Sequence, residues 1–273
     1  MQTPFQIAKD TYVLPFTMSI PDRGLLYLNS ALIRGKQPML VDCGAAAQRD
    51  EYLNAIFALV EPRDVRWIFV SHDDRDHSGN VVQLLELCPN ARLVVNFQCA
   101  TRLTKEYVLP TERLTFVDEY TALDIGDRKV VPIRPPIFDS PATRGLWDSK
   151  THVFFSIDSF GCVVPEHTES AWDLDQATYV NGFNWWNLAN TPWLTLADPQ
   201  KMAKMVDRVR CLEPKIVVPY HGPVVKGQID RLCTQLLSIP IDETIVFPSQ
   251  DAFNSLYPDS DSLSHLLEAH GNH

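Results

Sequence analysis

No stretch of this chain is rich in lysine or arginine, and acidic residues outnumber basic ones by 34 to 24, for a net charge of -10. A protein that grips a phosphate backbone needs a basic stripe, so nucleic-acid binding is excluded as a primary role. Long apolar runs are missing too, and none approaches the roughly 20 residues needed to cross a bilayer, so no membrane partner is expected. The N-terminus has no basic region leading into an apolar core, so no export signal is expected. The six cysteines (Cys43, Cys88, Cys99, Cys162, Cys211, Cys233) form no C-x-x-C pair and sit mostly among apolar neighbours. They read as buried free thiols, which points to a cytoplasmic location. Internal repeats of short period are also absent.

The composition is that of an ordinary globular protein, 45% hydrophobic and 21% charged, which excludes a disordered chain. At 273 residues the chain is at the upper end of what one hydrophobic core supports. One domain is expected over 1–249, followed by a polar tail over 250–273 whose histidines (His265, His270, His273) read as solvated.

The densest chemistry lies at residues 72 to 77, His-Asp-Asp-Arg-Asp-His. It follows an apolar, β-branched stretch (Trp67, Ile68, Phe69, Val70) and is closed by Ser78-Gly79-Asn80, so it belongs on a loop at a strand end. A solvated acidic turn would explain Asp73, Asp74 and Asp76 but not the bracketing histidines His72 and His77. Without a cation the aspartates would repel one another, so the run reads as metal-binding.

The surrounding pattern predicts strands at 12–16, 25–28, 38–42, 66–71, 92–95, 114–117, 129–133, 152–157 and 215–219. Helices are expected over 48–60, 80–88, 198–213 and 226–238, the third capped by Asp198 with Pro199 at its first position. Residues 163–197 read as irregular and carry four of the six tryptophans. Strands then helix, repeated twice, imply an α/β fold with two β-layers between helices. Trp185, Trp186 and Trp193, with Phe183, read as packing or a homodimer contact in preference to a substrate pocket.

One loop cannot complete a dinuclear site, and three other positions qualify. Asp158 closes the strand at 152–157, His221 closes the strand at 215–219, and Asp139 follows the strand at 129–133. Singly, each has an ordinary turn reading. Asp42, ending an earlier strand, reads as a brace for the ligands.

With these residues in hand, the chain resembles the metallo-β-lactamase superfamily. Its signature, His-x-[His/Glu/Asp]-x-Asp-His after a strand, fits His72 to His77, and Asp42-Cys43-Gly44 is similar to its earlier Asp-x-Gly strand end. The likeness is closest to the flavodiiron and oxygen-binding diiron branch, through Asp76-His77-Ser78-Gly79-Asn80, Asp158-Ser159-Phe160-Gly161 and Tyr220-His221-Gly222-Pro223. That resemblance implies a four-layer αββα metallo-β-lactamase-like sandwich. It also implies one metal held by His72, Asp74 and Asp158 and a second by Asp76, His77 and His221, with Asp158 bridging. Two positions depart from the branch: Asp74 where Glu is usual, and Asp139 where a His is placed.

Three histidines and up to four aspartates form a hard, carboxylate-rich set that favours iron, with zinc or manganese as alternatives. A di-iron site would bind or reduce O2 or NO, as a stand-alone core or an oxygen sensor, with electrons from an external donor protein. No flavin-binding stretch is evident after residue 240, so no flavin is expected on this chain. The alternative is a dinuclear hydrolase of an ester, lactone or phosphodiester, using a metal-bridging hydroxide. The redox or sensor reading is preferred because Asp74 replaces the histidine that zinc hydrolysis favours.

Overall fold

A computed structural model describes residues 3–242, 245–247 and 249–251. Most of the expected tail, including its three histidines, lies outside the described residues. The chain opens with β1 (Phe5–Ala8), β2 (Thr11–Ile20), β3 (Gly24–Ile33) and β4 (Met39–Val41), then α1 (Arg49–Phe57) and β5 (Trp67–Phe69). Next come α2 (Arg75–Ser78), α3 (Val81–Leu87), β6 (Arg92–Val95), α4 (Phe97–Leu103) and β7 (Leu114–Phe116). The second half begins with β8 (Leu123–Asp124), β9 (Lys129–Ile133), β10 (Gly145–Asp148) and β11 (Val153–Ile157). It ends with α5 (Gln176–Asn190), α6 (Pro199–Arg210), β12 (Ile216–Pro219), β13 (Val225–Lys226) and α7 (Ile229–Leu237).

Strands β1 to β7 form one mixed sheet in sequence order, and a second sheet runs β13-β12-β11-β10-β9-β8. Strands β4 to β7 are parallel, as are β11 and β12. Side-chain alternation along these strands builds the layers. Met39 and Val41 face the partner sheet with Phe69 and Val94, opposite Val153, Phe155 and Val218. Leu40, Ile68 and Leu93 point the other way, onto Tyr52, Ile56, Val81 and Leu84 of the first helical layer. Phe154 and Val217 do the same on the far side, against Tyr179, Phe183, Val206, Val209 and Leu232. The result is the four-layer αββα sandwich expected from the sequence.

Each predicted strand and helix has a counterpart; β6 and β9 have the expected bounds and the others have shifted ends. Strands β2 and β3 run on to ten residues each and pair along their full length. The main difference is α5, a fifteen-residue helix inside the segment expected to be irregular. Its sequence is rich in asparagine and contains Gly182, all poor helix formers, so its stability comes from the N-cap and from packing. Asp175 caps it by accepting the Thr178 N–H, and Tyr179, Phe183, Trp186 and Leu188 are buried along it. Among the described residues, no helix is long and apolar enough to cross a membrane.

At the end where β4 and β11 begin, Arg128 is buried and its guanidinium meets Asp148 at 3.0 Å, Asp127 at 3.0 Å and Asp10 at 3.6 Å. The Lys150 ammonium adds a contact to Asp127, and the Thr151 hydroxyl donates to Asp148 at 2.6 Å. Three turns are tied together there by their own charges. The opposite end of the same strands carries the other acidic cluster.

Candidate metal centre

The parallel strands of both sheets end at one rim. His72 and Asp74 lie just past β5, and Asp76 and His77 on the single turn of α2. Asp139 lies between β9 and β10, Asp158 directly after β11, and His221 after β12. All seven sequence candidates are therefore brought together. Gly79 makes this possible: a Cβ there would collide with the Ala46 amide and the Arg75 carbonyl, so only glycine lets α2 tuck beneath the strand ends. At the other wall, Ile157 adopts φ 58° and the β11–β12 register shifts between Phe155 and Ile157, which turns Asp158 into the rim. A β-branched residue in left-handed backbone is strained, by about 1–3 kcal/mol.

The seven side chains divide into two groups that share Asp158. His72 Nε2 lies 3.8 Å from Asp74 Oδ2, 3.6 Å from Asp139 Oδ1 and 3.7 Å from Asp158 Oδ2. On the other side, Asp158 Oδ1 is 3.3 Å from both His77 Nε2 and His221 Nε2. Asp76 Oδ2 stands 3.5 Å from each of those same nitrogens. Two atoms bound to one ion at roughly 2.1 Å in near-tetrahedral geometry are about 3.4 Å apart, so both groups have the spacing of a shared ion.

The charge and hydrogen bonding fit a cation as well. His72 Nε2 and both Asp158 oxygens are buried without a well-formed hydrogen bond, which is costly unless something outside the chain satisfies them. Four carboxylates converge, a charge that two divalent ions would cancel. Burial alone would lower the His77 imidazolium, but Asp76, Asp42 and Asp158 outweigh it and hold its pKa well above the usual histidine range. Burial would likewise raise Asp158, yet the facing His72 and His77 keep it well below the ordinary carboxylate range. Asp139 goes the other way: burial, reinforced by the Asp158 charge, pushes it up to about 6. Asp74 is also raised, by burial first, with Asp139 adding to it.

Behind the donors is a layer of braces. The Asp42 carboxylate contacts His77 Nδ1 at 2.9 Å and accepts the Ser71 N–H at 2.8 Å and the Ser71 hydroxyl at 3.0 Å. His221 Nδ1 is 2.9 Å from the Tyr27 carbonyl, an acceptor only, so Nδ1 carries the proton and Nε2 keeps its lone pair for the site. The bracing role expected of Asp42 is thus met. Ser71 and the Tyr27 carbonyl were not singled out, and a backbone carbonyl leaves no residue-type signal.

Asp73 resolves the repulsion within the loop differently. It turns away from the cluster and accepts from Arg102 Nε at 2.7 Å. The tryptophans also separate: Trp186 lies over His221 with ring centroids 4.6 Å apart, while Trp185 sits beneath the Arg23 guanidinium at the surface. Gly161 permits the first contact, since a Cβ there would strike the Trp186 ring. Trp193 donates its indole N–H to the Phe138 carbonyl at 2.8 Å, beside Asp139. Tyr220 covers His77 at 3.8 Å between centroids. The cysteines are not part of either donor group, and the buried Cys43 contributes through its backbone, donating its N–H to the His77 carbonyl at 2.7 Å and accepting from the Asn80 amide at 2.9 Å.

Comparison with known proteins agrees with this architecture. The family profile described as ODP family beta lactamase matches residues 26–222. An uncharacterized protein of Methanocaldococcus jannaschii is 25% identical over 241 residues, covering 88% of this chain and 59% of its own length. A putative diflavin flavoprotein of Nostoc is 28% identical over 205 residues, covering 75% of this chain but 34% of that protein. Among solved structures, the flavodiiron protein of Giardia intestinalis superposes with a TM-score of 0.76 at 20% identity, over 87% of this chain and 59% of that one. The chain thus spans between about a third and three fifths of the length of these three proteins.

Proposed function

The chain belongs to the ODP family of β-lactamase-fold proteins, and on that footing we propose that it is a dinuclear, iron-binding core that binds or reduces O2 or NO. In this reading His72, Asp74, Asp139 and Asp158 hold one ion. Asp76, His77, His221 and the other oxygen of Asp158 hold the second. The observation that carries it is Asp158: a buried carboxylate whose two oxygens each face a different donor group and lack a good hydrogen bond within the chain. The name of the Giardia relative, flavodiiron protein, supports iron over zinc. So does the donor set, which has no thiolate and more carboxylates than imidazoles.

With iron bound, the pair would supply the open coordination positions and the electrons that a diatomic ligand needs. The residues of the chain do the rest. The braced Nδ1 atoms of His77 and His221 fix both rings so that their Nε2 atoms point inward. Trp186 and Tyr220 cover the imidazole faces and keep water off them. The Asp74 side chain, at 46% exposure, leaves its side of the cluster open to a small molecule. Electrons come from a donor that is not part of this sandwich.

The test is metal analysis of protein purified without added metal, an optical spectrum under air, and consumption of O2 or NO with a chemical reductant. About two irons per chain, a near-ultraviolet oxo-bridge band and gas consumption are expected. Zinc, together with turnover of a model phosphodiester or lactone, would replace this reading with the hydrolase.

A further inference from the structure

The two donor groups are not equivalent, in the donors they offer and in how their imidazoles are anchored. The pocket of His72, Asp74 and Asp139 offers one imidazole nitrogen and, with Asp158, three carboxylates. The pocket of Asp76, His77 and His221 offers two imidazoles and, with Asp158, two carboxylates. Bracing differs as well. Both imidazoles of the second pocket are anchored through Nδ1, one by the Asp42 carboxylate and one by the Tyr27 carbonyl. In the first pocket His72 Nδ1 meets only the Ser71 hydroxyl at 3.0 Å, which Asp42 already engages. Asp139 accepts a long 3.4 Å bond from Thr143 beside a backbone N–H from Ser140, and Asp74 caps α2 without any side-chain hydrogen bond to it. Exposure does not separate the pockets: the Asp74 and Asp139 side chains are 46% and 22% exposed against 31% for Asp76, and all three imidazoles are buried.

We infer that the metal pair is built unequal. The braced, nitrogen-richer pocket of Asp76, His77 and His221 fills first and holds iron. The oxygen-rich, less firmly braced pocket of His72, Asp74 and Asp139 is the exchangeable seat, and the one from which Mn2+ displaces Fe2+. The physical basis is ligand hardness and order. Imidazole favours the later, softer divalent ions and carboxylate the harder manganese, so each nitrogen exchanged for oxygen narrows the advantage of Fe2+ over Mn2+. Loss of the anchoring layer around a ligand commonly lowers metal affinity by about 10- to 100-fold. Asp139 is the deciding residue, since a histidine there would give both pockets the same count of nitrogens. The inference rests on the dinuclear reading above and adds to it which ion each half selects.

The experiment is to strip the protein with a chelator and reload it without oxygen, first with Fe2+ in steps below one equivalent. A second loading uses Fe2+ against excess Mn2+, with each pocket read separately by anomalous diffraction at the iron and manganese edges. The first iron is expected beside Asp76, His77 and His221. In competition, the manganese-to-iron ratio should be about tenfold higher in the His72 pocket. Asp139→His should bring the two ratios together. Equal ratios in the unaltered protein, or iron entering the His72 pocket first, would overturn the inference while leaving the dinuclear reading intact. Failure of both pockets to take up any metal would overturn the two together. If the Asp139→His protein does not fold, the unaltered protein alone decides.

Discussion

The two ends of the sandwich each gather aspartates around a buried group, and each deals with the repulsion in its own way. Where β4 and β11 begin, Asp10, Asp127 and Asp148 surround Arg128 and Lys150, so every carboxylate has a cation from the chain itself. Where the same strands finish, Asp74, Asp76, Asp139 and Asp158 surround three imidazoles, and two buried carboxylate oxygens have no good hydrogen-bond partner. One cluster is electrostatically closed and holds turns together. The other is left open, and needs a ligand from outside. Aspartate content alone does not distinguish structure from function; the presence or absence of a balancing side chain does.

The largest effect expected from breaking this contrast is at Asp158. Asp158→Ala should lose both ions, read by metal analysis, because each half shares one of its oxygens. Retention of full metal content would remove the bridge. At the closed end, Arg128→Ala strands the buried Asp148 and should cost about 3–5 kcal/mol in denaturant unfolding, with metal content unchanged. A matched pair then tests the sign of the difference. Asp127 has a folded pKa held below the ordinary carboxylate range; burial opposes this, but the Arg128 and Lys150 contacts outweigh it. Its contribution to stability is present at neutral pH and is lost as pH falls below about 4.

Asp139 is the mirror case, because its folded pKa of about 6 lies above the unfolded value. In metal-free protein its charge therefore opposes folding at pH 7, and that penalty fades as pH falls from about 6 to 4. Asp127→Asn should thus destabilise at pH 7. Asp139→Asn should stabilise the chelator-treated protein by about 1–2 kcal/mol at pH 7 and by nothing near pH 4. Unfolding curves at the two pH values decide. The smallest effect is at Asp73, which lies outside both donor groups and whose partner Arg102 is 41% exposed. Asp73→Asn should cost less than about 1 kcal/mol and keep both metals.

Much of this was legible in the sequence where composition and spacing carry information. The His72 to His77 run stands out because histidine beside aspartate has few structural uses. Asp158 and His221 could be found because each closes a strand of apolar, β-branched residues. Asp198 and Pro199 announced a helix start in the ordinary way. The rest was hidden for physical reasons. Helix α5 is stabilised by tertiary packing rather than propensity, so its asparagines and Gly182 mask it. The opposite turn of Asp73 depends on Arg102, which is 29 residues away. The anchoring of His221 by a backbone carbonyl writes nothing into side-chain identity. Unequal bracing of the two pockets is likewise a property of neighbours, and only the fold assembles them.

Ile157 has a further consequence. Its left-handed backbone is locked by burial of its side chain between the sheets, so the direction of Asp158 is set by the covalent chain and the core. The ions then need not organise the site that receives them, unlike the metals of small zinc domains, whose binding is itself the folding reaction. Chelation should therefore leave the circular dichroism of the protein in place, and metal uptake should be limited by ligand deprotonation and ion encounter instead of refolding. On the proposed dinuclear reading, a strained residue at a strand end makes the site a receptor whose shape precedes its metals.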